Sequence, residues 1–169
     1  AHASGIESRL EPTPSLALGA YEVTPLEAAN SYATFASGGQ FAAPVLVTKV
    51  VGPDGKELVL PAPPPARRVM NEDEAYLLTS LLSSVVKEGT ATRALSLARP
   101  LAGKTGTTNE AKDAWFIGYS TDLVCAVWVG FDDALPLGWG ESGATTALPG
   151  WIELMKNAHD KKPATDFPR

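Results

Sequence analysis

Three strand-like runs, 101–107, 114–120 and 123–131, follow one another with links too short for anything but reversal. Thr121-Asp122 leaves room only for a hairpin turn, and the connector 108–113 is short enough to return antiparallel as well. A parallel pair would need a crossover of about a dozen residues or more. The sequence therefore predicts a three-stranded antiparallel meander, and the amphipathic segments around it make the class α+β.

Helix signals flank that meander. Thr24-Pro25-Leu26-Glu27 reads as N-cap, first-turn proline and capping-box acid, with an apolar stripe of Leu26, Ala29, Ala33 and Ala36 and a stop at Gly38-Gly39. Asn71 with Glu74 repeats the box and opens a helix to about Lys87, its buried stripe expected at Ala75, Leu78, Leu82 and Val85. Glu72-Asp73-Glu74 falls on the positive end of that helix and reads as capping. A short helix is expected over 90–97, and a last one carries Trp151, Ile152, Leu154 and Met155 on its apolar face. Upstream, 41–51 and 56–60 are predicted to pair as a hairpin across Gly52-Pro53-Asp54-Gly55, before a stiff proline-rich connector at 61–65. Arg67-Arg68 reads as a solvated pair.

Asp and Glu outnumber Lys and Arg by 19 to 14, a net charge of −5, which argues against a nucleic-acid partner. No apolar run approaches the roughly 20 residues of a bilayer span, and no signal peptide is read here. The single cysteine, Cys125, excludes an internal disulfide framework and a cysteine-based zinc cluster, and its apolar surroundings make it a core residue. No metal or catalytic role is expected for His2 or His159, which stand near opposite ends, nor for Asp132-Asp133, and no cofactor is implied.

One segment has an unusual chemical inventory: Lys104-Thr105-Gly106-Thr107-Thr108. On a strand, Lys104 and Gly106 share one face while Thr105 and Thr107 share the other. A fixed ammonium, two hydroxyls and a row of backbone N–H groups suit a carboxylate-bearing ligand, or an extended peptide added as a strand. Gly106 is explained by close approach of a neighbour or ligand. An edge strand carrying polar residues against aggregation fits the same five residues. A phosphate loop does not, because G-x-x-x-x-G-K-[ST] needs glycine where Ala98 stands.

Longer strings decide between these readings. Pro14-Ser15-Leu16-Ala17-Leu18-Gly19-Ala20, Val23-Thr24-Pro25-Leu26-Glu27, Phe35-Ala36-Ser37-Gly38-Gly39, Glu88-Gly89-Thr90-Ala91, Ala102-Gly103-Lys104-Thr105-Gly106-Thr107-Thr108-Asn109, Asp113-Ala114-Trp115-Phe116-Ile117-Gly118-Tyr119 and Val127-Trp128-Val129-Gly130-Phe131-Asp132-Asp133 occur in this order. The series, from about Gly5 to Ala158, resembles the transpeptidase domain of class A penicillin-binding proteins, whose K-T-G signature accompanies S-x-x-K and S-x-N.

The resemblance implies a β-lactamase/transpeptidase-like fold, with residues 1–160 as the C-terminal portion of the domain and 161–169 as a frayed tail. It implies a serine that attacks the D-Ala-D-Ala end of a peptidoglycan stem peptide, forms an acyl-enzyme and is trapped by β-lactams. Lys104 would supply positive charge beside the serine, and the Thr105 and Thr107 hydroxyls would hold the substrate carboxylate. The Thr107 N–H would be half of an oxyanion hole, Gly106 would let the acyl chain lie close to the strand, and Thr108 would be a further substrate-binding residue. Trp115 is expected to pack against the core. A membrane anchor elsewhere in the parent protein and an extracytoplasmic location follow from the same likeness.

The departures matter as much. Ser84-Val85-Val86-Lys87 fits S-x-x-K but sits mid-helix and is read as a decoy. S-x-N fails at every asparagine: Ala28, Val69, Thr107 and Met155 stand two residues before Asn30, Asn71, Asn109 and Asn157. A fragment is therefore expected, with the nucleophile and its lysine on an upstream half that is the partner of this one. Two other readings stand beside it: a non-catalytic D-Ala-D-Ala peptide-binding module using the Lys104 strand, and a serine β-lactamase fragment.

Overall fold

Both capping boxes form. In the computed structural model, which describes residues 1–168, Thr24 accepts the Glu27 N–H and Glu27 the Thr24 N–H at the start of α1 (Pro25–Ala36). After β1 (Gln40–Phe41) and β2 (Arg67–Arg68), Asn71 and Glu74 make the same exchange and open α2 (Glu72–Lys87). A 3-10 turn at Thr92–Leu97 leads to β3 (Ala102–Thr107), β4 (Asp113–Tyr119) and β5 (Val124–Gly130). A π-turn at Gly143–Ala147 then runs into α3 (Leu148–Ala158). The three long strands form the antiparallel meander that their short links demand, in the order β3-β4-β5.

The sheet divides the core in two. Ala102 and Tyr119 are cross-strand partners, and on their face they meet Leu82 and Leu78 of α2 and Tyr32 and Phe35 of α1. On the other face, Phe116 and Cys125 meet Leu148, Trp151 and Met155 of α3. The Phe116 and Trp151 rings stand edge-on at 4.9 Å, and the Trp151 indole N–H donates to the Cys125 carbonyl at 3.0 Å. Burial pushes the Cys125 thiol pKa up, as for a core residue.

His159 belongs to this packing. Its Nδ1 lies 2.7 Å from the Met155 carbonyl and must donate to it. Ser120 Oγ already accepts from the N–H groups of Asp122 and Leu123, so its own proton goes to His159 Nε2, 2.8 Å away.

Three expectations need correction. The proposed hairpin is reduced to one bridge, Val51 to Glu57, and Leu46 and Val59 are exposed along it. Arg67-Arg68 is exposed as expected, and it also forms β2, with Arg67 4.5 Å over the Phe41 ring and Arg68 paired with Glu72. The buried side of α1 is Ala28, Ser31 and Thr34, while Leu26 is exposed. Small hydroxyl residues can face the core there because Ser31 donates to the Ala28 carbonyl and Thr34 to that of Asn30. Trp115 joins neither buried cluster; it is half-buried against Trp128, ring centroids 6.3 Å apart. The end of the chain also has partners: Phe167 stands edge-on to Tyr119 at 5.6 Å, and Arg99 donates to the Lys162 carbonyl. Arg169 lies outside the described residues.

Candidate active site

The direction of the β3 backbone groups follows from one ladder contact. Thr108 N–H donates to the Asp113 carbonyl, so Thr108 and Asp113 are a hydrogen-bonded pair. Such pairs alternate in an antiparallel ladder, which makes Lys104–Ile117 and Gly106–Trp115 hydrogen-bonded pairs too. The N–H and C=O groups of Thr105 and Thr107 must then turn away from β4. Among the described residues no further strand pairs with that edge. The strand offers free amides at the positions that also carry hydroxyls.

Side chains complete the edge. Lys104 is exposed, and its Nζ folds back to donate to the outward carbonyl of Thr105 at 2.9 Å. Thr105 Oγ1 lies 2.9 Å from Thr90 Oγ1. Thr107 Oγ1 accepts the Gly143 N–H at 3.0 Å, which leaves its proton free to donate. Lys104, Thr105 and Thr107 are thus brought to one open strip. Thr108 follows them but differs in orientation: its hydroxyl accepts the Asp113 N–H at 2.8 Å and faces the Asp113 carboxylate.

Gly106 is explained by its neighbours. A Cβ there would stand 3.1 Å from Trp115 Cβ on the shared face. Gly143 crowds the same ladder pair, where a Cβ would meet the Trp115 carbonyl and stand 2.7 Å from the Gly106 carbonyl oxygen. Ser142 holds the π-turn in place by capping Thr145. The sequence did not single out Gly143 or a role for Thr90. Thr90 does fall in the quoted string Glu88-Gly89-Thr90-Ala91, but only the fold brings it to β3.

Ser84, the paper match to S-x-x-K, lies within α2 and donates to the Ser80 carbonyl. Two surface hollows are lined by Arg68, Asn71, Glu72 and Asp73, and by residues that include Phe35, Tyr76, Thr79 and Phe167; neither is lined by β3. A strip of one ammonium, two hydroxyls and two outward amides can bind an acidic peptide terminus and donate to an oxyanion.

Comparison with known proteins gives a consistent result. The sequence pattern of the penicillin binding protein transpeptidase domain matches residues 4–147. Penicillin-binding protein 1A of Aquifex aeolicus is 43% identical over 158 residues, covering 94% of this chain and 22% of the relative. The crystal structure of penicillin-binding protein 1A from Haemophilus influenzae superposes with a TM-score of 0.90 at 32% identity, over 99% of this chain and 31% of the other. PonA1 from Mycobacterium tuberculosis, solved in complex with penicillin V, gives 0.88 at 27% identity, over 99% of this chain and 50% of the other. The chain spans about a quarter or less of the length of the curated relatives it matches, 24%, 22% and 20% for three of them.

Proposed function

Because this chain belongs to the penicillin-binding protein transpeptidase family, we propose that it is the carboxylate-holding wall of a peptidoglycan D,D-transpeptidase site. Residues 1–160 are the C-terminal portion of that domain, and the nucleophilic serine and its activating lysine come from polypeptide outside these residues. The observation that carries this reading is the open edge of β3, where Thr105 and Thr107 direct amides and hydroxyls outward beside the Lys104 ammonium.

On this reading the terminal carboxylate of a D-Ala-D-Ala stem peptide, or of a β-lactam, takes hydrogen bonds from the Thr105 and Thr107 hydroxyls. Lys104 supplies the positive charge that favours it there. The serine hydroxyl adds to the penultimate D-Ala carbonyl carbon, its proton passing to the base, and the tetrahedral oxyanion accepts the Thr107 N–H. Collapse breaks the peptide bond and terminal D-alanine leaves with the proton taken from the serine; an amine of a neighbouring stem then adds to the acyl carbon, and its proton returns to the serine oxygen as that oxygen leaves. An oxyanion donor of this kind is worth about 3–4 kcal/mol to the transition state. No helix among the described residues is long and apolar enough to cross a membrane; an anchor elsewhere in the parent protein and an extracytoplasmic location are part of the same proposal. The matched pattern is that of a transpeptidase, which favours this reading over a non-catalytic module or a β-lactamase fragment.

Fluorescent penicillin tests it. The parent protein should be labelled at a serine outside residues 1–169, and Lys104→Ala should slow labelling about tenfold or more, the weight of a lost charged contact. Labelling of the isolated chain at Ser84, or wild-type labelling kinetics in Lys104→Ala, would refute the assignment.

A further inference from the structure

The string Glu88-Gly89-Thr90-Ala91 has no part in the mechanism above, yet its backbone is closely fixed. Glu88 N–H donates to the Ser84 carbonyl at 2.9 Å and ends α2. Gly89 folds back onto that helix, where a Cβ would stand 2.8 Å from Val85 Cα and 2.9 Å from its carbonyl oxygen. Ala91 is fully buried, and its N–H donates to the Val85 carbonyl at 3.0 Å. Between this glycine and this alanine stands Thr90, itself exposed, with Oγ1 2.9 Å from Thr105 Oγ1.

We propose that Thr90 is a positioning residue for the substrate carboxylate, acting through Thr105; this rests on the transpeptidase reading. Proton counting fixes the direction of the contact. A hydroxyl has one proton and two acceptor sites. For Thr105 to donate to a carboxylate its proton must point at the ligand, so the proton shared between the two threonines comes from Thr90. The result is a series, Thr90 O–H to Thr105 O–H to carboxylate, in which the first bond orients the second and polarises it. Without Thr90, the Thr105 hydroxyl loses the partner that holds its proton toward the open edge. The exposed position of Thr90 separates this role from a packing role.

The test uses the full-length parent and the second-order rate of acylation by fluorescent penicillin. Thr90→Val removes the hydroxyl at nearly constant shape and should lower that rate roughly 3- to 13-fold, the weight of one lost hydrogen bond. The loss should lie in apparent affinity more than in the maximal acylation rate. Thr90→Ser should restore most of it, and the thermal transition should stay unchanged in both. In a Thr105→Val background, Thr90→Val should cost nothing further. Acylation within twofold of wild type in Thr90→Val, no rescue by serine, or an equal loss in the Thr105→Val background would overturn the proposal. A wild-type parent that penicillin does not acylate would overturn the transpeptidase reading itself.

Discussion

Replacing Gly143 by alanine probes the seating of the π-turn on the β3–β4 ladder. No left-handed backbone angle is involved, so the cost comes from space alone. The added methyl would meet the Trp115 carbonyl and stand 2.7 and 3.1 Å from the Gly106 carbonyl oxygen and nitrogen. Gly106 and Trp115 are a ladder pair, so the neighbours are backbone atoms rather than the yielding ends of side chains. Overpacking of this kind costs about 1–3 kcal/mol. Lifting the turn also breaks the Gly143 N–H bond to Thr107 Oγ1, a further ~1 kcal/mol. Together these amount to about 2–4 kcal/mol. Thermal unfolding followed by circular dichroism in the parent measures it, and penicillin acylation should fall as Thr107 loses its partner. Gly150 supplies the contrast: it is exposed in α3, its nearest contact is Val127 Cγ1 at 4.0 Å, and alanine there should stabilise by about 0.5–1 kcal/mol. Equal unfolding temperatures for wild type and Gly143→Ala, or shifts of the same sign for the two alanines, would refute the steric reasoning.

Trp151→Ala should destabilise by about 3–5 kcal/mol, because a fully buried ring packed on Phe116 leaves a cavity; denaturant unfolding measures the loss. Glu27 predicts an acid limb. The Thr24 N–H, the Ser8 hydroxyl and the Ser8 N–H hold its carboxylate pKa down to about 2 from the usual 4.5, against a smaller opposing effect of burial. A depressed carboxylate pKa gives stability that is present above about 4.5 and lost as pH falls through about 2. The stability gap between wild type and Glu27→Gln should therefore narrow across that window, and a gap independent of pH would contradict the clamp.

The meander was legible because two short links leave a chain little choice, and the helix starts because their caps are local. What was missed depended on distance in sequence. β1 and β2 are two residues each, and Gln40 pairs with Arg68 across a long connection, so neither strand has a period to read. The buried faces of the helices were shifted because Ser31, Thr34, Thr79 and Ser83 look polar. Two of them satisfy their hydroxyls within their own helix, and Thr79 bonds to the buried Tyr119 hydroxyl at 2.9 Å. The β3 strip was recognisable as chemistry, whereas Thr90 and Gly143 reach it from fifteen and thirty-six residues away in the chain and carry no spacing signal.

The alternation along β3 also sets what kind of change the segment can survive. Outward amides and hydroxyls both belong to Thr105 and Thr107, so they share one phase of the strand. Inserting or deleting a single residue ahead of them would turn both amides toward β4 and carry both hydroxyls to the opposite face of the sheet, and bring the Lys104 and Gly106 amides out instead. Side chains here can be exchanged one at a time with graded effect, but the count of residues back to Leu101 is a reading frame. A frameshift in it would erase the strip while leaving its composition intact.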